Sequence, residues 1–178
     1  MTTRQANVQA LGIEQISEDS SSEKIASARE LLLEYGRFVI AQPGAARFCF
    51  GSLEKEADRL PQSYLEQNGG CLLATLGATP VGFVAWRALS PSSRVLNDSW
   101  EMKRLWVRHE ARGFNLGRQL TDAVIERAIA AKRKAIYLDT APASMGSAYS
   151  LYQRMGFREC PAYNETPVDG LVWMVTIL

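Results

Sequence analysis

The sequence predicts a mixed α/β domain built on one sheet. Two observations carry this expectation. Strand-like and helical periodicities alternate along the chain, without an internal repeat or a strong linker. The composition is that of an ordinary globular domain, with 178 residues of which 47% are apolar and 22% charged. One domain spanning residues 1–178 is expected, long enough to bury a core without disulfides or metal.

Val8 to Ile16 reads as the first strand, and Ser17 to Lys24 as a polar loop. From Ser22 the pattern turns helical, because Ile25, Ala28, Leu32 and Tyr35 recur at helical spacing. Gln42-Pro43-Gly44 closes that region. Ser52 is placed to cap a second helix, Leu53 to Leu60, which Pro61 ends. Cys71 to Leu76 and Val81 to Arg87 read as strands joined by a turn, Gly77-Ala78-Thr79-Pro80. Trp100 to Val107 is a further strand, and Ala111 to Asn115 a loop. Leu116 opens a long helix in which Leu116, Leu120, Val124 and Ala128 lie one above the other. Ala135 to Leu138 is a short buried strand. Ser147 to Met155 is a helix stopped by Gly156, and Leu171 to Leu178 is a closing strand.

A net charge of +1 provides no bulk field for nucleic acid or an anionic membrane, so neither is expected as a partner. No apolar run is long enough to span a bilayer, and the first residues lack the apolar stretch of a signal peptide. Cys49, Cys71 and Cys160 are odd in number and far apart, which fits small apolar fillers in a reducing, cytoplasmic compartment. His109 is the single histidine, and no metal site is expected.

The most informative stretch runs from Val107 to Arg118. A strand ends, a loop comes next and a helix begins. The first N–H groups of a helix lack internal partners and lie at its positive end, which suits a pyrophosphate. Gly113 and Gly117 let the backbone approach an anion, and Arg112 and Arg118 can add charged bonds. The glycine spacing is neither that of a dinucleotide fingerprint nor that of a P-loop. On these residues alone, a phosphate site and a plain strand-to-helix turn are equally good readings.

At this point the sequence resembles the GNAT superfamily of N-acetyltransferases. Arg112-Gly113-Phe114-Asn115-Leu116-Gly117 fits its Arg/Gln-x-x-Gly-x-Gly/Ala signature, with Asn115 standing where the family has its first glycine. Glu101-Met102-Lys103-Arg104-Leu105-Trp106-Val107 looks like the family strand before that loop. Leu151-Tyr152-Gln153-Arg154-Met155-Gly156-Phe157 looks like its Leu-Tyr-x-x-x-Gly-Phe segment. Asparagine is among the non-glycine residues most tolerant of positive φ, so Asn115 is compatible with the loop geometry.

The resemblance implies a central mixed, mostly antiparallel sheet of about seven strands flanked by about four helices, with the fourth and fifth strands splayed. It implies acetyl-CoA as co-substrate. Backbone groups of Leu105, Trp106 and Val107 would hold the pantetheine arm. Loop amides of Gly113, Phe114, Asn115, Leu116, Gly117 and Arg118, with the side chain of Arg112, would hold the pyrophosphate. An amine would attack the thioester directly, the acceptor being a small-molecule primary amine. Tyr152 is the candidate proton donor to the leaving thiolate, although Ala148, Leu151, Tyr152 and Met155 also read as an apolar helix face. Glu101 is the candidate base, its pKa raised by burial, or else a carboxylate paired with Lys103 or Arg104. Phe48, Phe50, Trp86, Trp100, Tyr163 and Asn164 are candidates for the acceptor lining, with Glu101 and Glu165 as attractors for a cationic amine. A catalytically silent acyl-CoA-binding sensor is the alternative that Asn115 keeps open. Exposed edge strands leave room for a homodimer.

Overall fold

The computed structural model describes residues 10–42, 50–92, 94–165 and 170–178. In chain order the elements are β1 (Leu11–Ile16), α1 (Ser22–Ile40), α2 (Phe50–Asp58), α3 (Gln62–Leu65), β2 (Gly70–Leu76), β3 (Thr79–Ala88), β4 (Ser99–Val107), a 3₁₀ turn (His109–Ala111), α4 (Leu116–Ala130), β5 (Ala135–Thr140), α5 (Gly146–Arg154), β6 (Arg158–Cys160) and β7 (Val172–Ile177). The strands form one seven-stranded sheet in the order β1-β2-β3-β4-β5-β7-β6. Every neighbouring pair is antiparallel except β4 and β5.

Period-two alternation in the strands builds a core on each side of the sheet. Leu72, Val84, Trp86, Trp100, Met102, Ile136, Leu138 and Met174 pack against Leu120, Val124 and Ala128 of α4 and Tyr152 of α5. Ile16, Leu73, Phe83 and Ala85 pack against Ala28, Leu31 and Leu32 of α1 and Leu53 and Ala57 of α2. Each fully buried leucine of these layers contributes about 1.5–3 kcal/mol.

Several local expectations change. Ser52 lies inside α2, which starts two residues earlier, so it is not the cap. The cap is instead at α1, where Ser21 Oγ accepts from Lys24 N at 3.4 Å. Pro61 leads straight into the short α3, which the sequence reading did not separate from the loop after it. The β2–β3 turn is tighter than four residues, since Leu76 pairs with Thr79. β5 runs on to Thr140 because Asp139 and Thr140 pair with Trp173 and Val172. β6, only three residues long, is too short to leave a period in the sequence.

Two irregularities in β4 shape the cleft beside it. The first is a bulge. Ala85 pairs with Lys103 and Phe83 with Trp106, so three steps on β4 oppose two on β3. Arg104 takes up the extra residue at φ 61. Trp100, Met102, Leu105 and Val107 therefore share the α4/α5 face, while Trp106 joins the α1/α2 face. The second is an early end to pairing. β4 and β5 are matched only from Ser99↔Ala135 to Glu101↔Tyr137, although β4 continues to Val107 and β5 to Thr140. The two strands splay apart beyond Glu101.

Candidate functional site

The splay opens onto a cavity of about 470 Å³. Its wide end is the loop and first turn of α4: Arg112, Gly113, Asn115, Leu116, Gly117 and Arg118, with Arg154 of α5 opposite. Its walls are Leu105, Trp106 and Val107 on one side and Ser147, Ala148 and Leu151 on the other. A second space of about 40 Å³ lies at the apex of the splay, lined by Tyr35, Met102, Lys103, Arg104, Leu105, Asp139, Thr140, Met145, Ala148 and Tyr152. Tyr35, Leu105, Met145 and Ala148 line both, so the two spaces meet.

The loop has the backbone an anion needs. Asn115 adopts φ 60 and ψ 21 as the N-cap of α4. Gly113 sits at φ 93. The first α4 amide to donate back to the loop is Gln119 N, to Asn115 O at 3.1 Å. Gly113, Asn115, Leu116, Gly117 and Arg118 line the cavity at the positive end of the helix, where the first amides lack partners within it. Gly117 packs closely on α5, since a Cβ there would meet Leu151 Cδ2 at 3.3 Å and that side chain would have to give by a few tenths of an ångström. The Arg112 guanidinium lies 5.6 Å from the centroid of Trp106. Trp106 in turn donates from Nε1 to Glu34 Oε2 at 3.1 Å and packs against Phe38. Arg118 pairs with Asp122 at 3.4 Å. Three arginines around exposed amides fit a pyrophosphate chemically. Phe114 stands apart, since its side chain is 59% exposed and outside the cavity lining.

Alternation in the strands shows that the apex passes through the sheet. Lys103 and Asp139 each lie two residues beyond the last pair, Glu101↔Tyr137, and so face the α1 side. Arg104 is on that side too, bonded to Glu56 of α2 at 3.1 and 3.2 Å and over the Tyr35 ring at 5.6 Å. Met102, Leu105, Thr140 and Tyr152 face the α5 side. Tyr152 is buried, and burial, with Tyr35 and Asp139 nearby, raises its pKa well above 10. Its hydroxyl makes no hydrogen bond among the described residues.

Glu101 behaves differently from the sequence expectation. It is fully buried and lines neither space. It accepts from Arg87 Nε at 2.7 Å, Tyr163 Oη at 3.1 Å and Asn164 Nδ2 at 3.1 Å, with Lys103 Nζ at 3.5 Å. Burial alone would raise its pKa, but the charges of Lys103 and Arg87 and the bonds from Arg87 and Tyr163 outweigh it and the pKa is lowered. Of the two readings of Glu101, these contacts favour the paired carboxylate, with Lys103 and Arg87 as its partners. The carboxylate is also too enclosed to attract an arriving amine. Among the other acceptor candidates, Trp86 and Trp100 pack on one another in the core at 5.5 Å. Tyr163 and Asn164 are bound to Glu101, and Asn164 also bridges to Asp139 at 3.3 Å. Phe48 and the side chain of Phe50 lie outside the described residues. His109 is exposed and away from both spaces.

Sequence reasoning missed Tyr35, Met145 and Arg154. Ser147, Leu151 and Arg154 fall at helical spacing, so one face of α5 was readable, but nothing marked it as the cavity face. Among the described residues, no helix is long and apolar enough to cross a membrane.

Comparison with known proteins places this geometry. The pattern of the acetyltransferase (GNAT) family matches residues 32–157. An uncharacterized N-acetyltransferase of Schizosaccharomyces pombe is 35% identical over 74 residues, which span 42% of this chain and 45% of that protein. The chain thus covers less than half of that relative's length. A GNAT-family acetyltransferase of Staphylococcus aureus Mu50 superposes with TM-score 0.70 at 20% identity, covering 94% of this chain and 99% of the other. A ribosomal-protein-alanine N-acetyltransferase of Brucella melitensis does so with TM-score 0.69 at 22% identity, over 94% and 99%. An N-acetyltransferase of Thermoplasma acidophilum in complex with coenzyme A gives TM-score 0.65 at 14% identity, over 95% and 98%. At these identities the structures share the fold. The chain belongs to the GNAT acetyltransferase family.

Proposed function

We propose that this GNAT family member transfers an acetyl group from acetyl-CoA to a primary amine by direct attack. One observation carries the proposal: two adjoining spaces, one lined by the start of α4 and Leu105–Val107 and the other at the apex beside Tyr152, share Tyr35, Leu105, Met145 and Ala148. The wide end suits the pyrophosphate. The walls suit the pantetheine arm, which can bond the β4 edge that β5 leaves. The aperture lets an amine on the α1 side reach a thioester on the α5 side.

In the reaction a neutral amine forms the N–C bond, the C–S bond breaks, and the electron pair leaves on sulfur. The amine nitrogen loses one proton and the sulfur gains one. A thiol has an ordinary pKa of about 8.5, below that of Tyr152. Full transfer from Tyr152 alone is therefore uphill. Tyr152 keeps its proton and serves as a hydrogen-bond donor to the leaving sulfur, which takes up the proton that the nitrogen gives up. Glu101, ionised and enclosed, acts as a positioning residue. It fixes Lys103, Tyr163 and Asn164 on the acceptor side.

Asn115 holds a left-handed conformation, so cofactor binding is common to the enzyme and to a silent sensor. Turnover separates them. Calorimetry with acetyl-CoA and thiol release over an amine panel form the test. Binding with amine-dependent thiol release is expected. Binding with no release for any amine would leave the sensor.

A further inference from the structure

The α1 side of the aperture has a charge pattern that speaks to the acceptor. Three cations and three carboxylates meet there: Arg87, Lys103 and Arg104 with Glu56, Glu101 and Asp139. Arg87 is matched to Glu101 at 2.7 Å. Arg104 is matched to Glu56 through two bonds, at 3.1 and 3.2 Å. Lys103 is served less well. Its ammonium lies 3.5 Å from Glu101 Oε1, beyond a normal hydrogen bond. That oxygen already accepts from Tyr163 and Asn164, both at 3.1 Å. The Lys103 side chain is only 15% exposed. An ammonium carries three donors and, this far from water, needs acceptors for them.

Geometry gives the same ammonium a neighbour of opposite charge across the gap. Lys103 and Asp139 stand at equal steps beyond the last β4–β5 pair, on one face and on facing strands. Both line the apex. A positive lip and a negative lip thus flank the aperture through which the amine must reach the thioester.

We infer that the acceptor is an amino-carboxylate, a small molecule with a carboxylate beside its reactive amine, and that Lys103 binds the carboxylate. Asp139, which accepts from Asn164 at 3.3 Å, sets a negative charge on the opposite lip. A polyamine would place a second cation against Lys103. An internal peptide would bring no carboxylate to it. The inference rests on the acetyl-transfer reading and adds the substrate class.

Acetyl transfer, followed as thiol release, tests it with matched pairs: tyrosine against tyramine, lysine against cadaverine, β-alanine against ethylamine. The carboxylate-bearing member is expected to win by about tenfold or more in kcat/KM, the worth of one charge-assisted bond. Lys103→Met is expected to remove that preference, raising KM for the amino-carboxylate by about tenfold more than for its decarboxylated partner. A preference for the decarboxylated amines, or equal rates within pairs, overturns the inference and leaves the transferase reading intact. A Lys103→Met loss that is the same for both members overturns it too. Transfer to no amine at all overturns both. The wild-type comparison decides the matter even where the variant does not fold.

Discussion

Replacing Glu101 with glutamine tests the buried charge cluster beside the splay. The side chain keeps its shape and loses its charge. Its two oxygens serve opposite sets of donors, Arg87 on Oε2 and Tyr163, Asn164 and Lys103 on Oε1. An amide must turn its NH₂ toward one set. Turned to Arg87 it forfeits the 2.7 Å bond and faces a guanidinium. Turned the other way it forfeits the Asn164 bond and opposes the Lys103 ammonium. One charge-assisted bond is worth about 1.5–3 kcal/mol, and leaving partly buried cations short of an anion adds to it. Arg87 is 34% exposed, so water recovers part of that addition. The expected loss is about 2–4 kcal/mol. The pH dependence gives a second reading. Because the folded-state pKa of Glu101 is lowered, its stabilisation is complete above the unfolded value near 4.5 and is lost as pH falls through the folded value. The gap between wild type and Glu101→Gln should be flat from neutral pH to about one unit above the unfolded pKa, then close on acidification. Glu34 and Glu56 also titrate low, but they are present in both proteins and cancel in the difference. Urea unfolding over a pH series measures this. A gap below about 1 kcal/mol at neutral pH, or one that persists in acid, refutes the cluster as described.

Tyr152→Phe should keep the melting temperature within a few degrees, since the hydroxyl has no partner among the described residues, and lower kcat about 10–100-fold when chemistry limits turnover; unchanged kcat in single-turnover measurements removes Tyr152 from the mechanism. Gly113→Ala should weaken acetyl-CoA binding and destabilise by about 1–2 kcal/mol. Nothing lies within 4 Å of the added Cβ, so backbone conformation at φ 93 is the sole source of the effect. Wild-type affinity and melting would show that the loop tolerates alanine. Arg154→Ala should raise KM for acetyl-CoA about 3–10-fold at low salt and less at high salt, with melting unchanged; a salt-independent effect would count against a phosphate contact.

The loop at the start of α4 was legible because its physics is local. A strand, two glycines, two arginines and a helix start lie within twelve positions, and hydrogen bonding at a helix N-terminus follows from that order alone. The acceptor end was not legible, because its contacts are long in sequence. Arg87 is 14 residues from Glu101, and Tyr163 and Asn164 are 62 and 63 away. A reading of Glu101 from its neighbours weighs burial and misses the donors that reverse its pKa. The expected pairing with Lys103 is present at 3.5 Å, Arg87 adds a closer one at 2.7 Å, and Arg104 turns to Glu56 instead. The bulge at Arg104 carries no glycine, so no local residue announced it. Trp86 and Trp100 looked like pocket aromatics by type, but strand parity sends both into the core.

That bulge also fixes the phase of everything beyond it in β4. Removing one residue at position 104 would transpose the strand's end: Leu105 and Val107 would exchange sides with Trp106. The indole would leave Glu34 and Phe38, Arg112 would lose its aromatic platform, and the cavity wall would be rebuilt from the wrong side chains. Position 104 should therefore accept a change of residue far more readily than a change of count. A gap slid across it in aligning related chains would assign donor-side residues to the acceptor side.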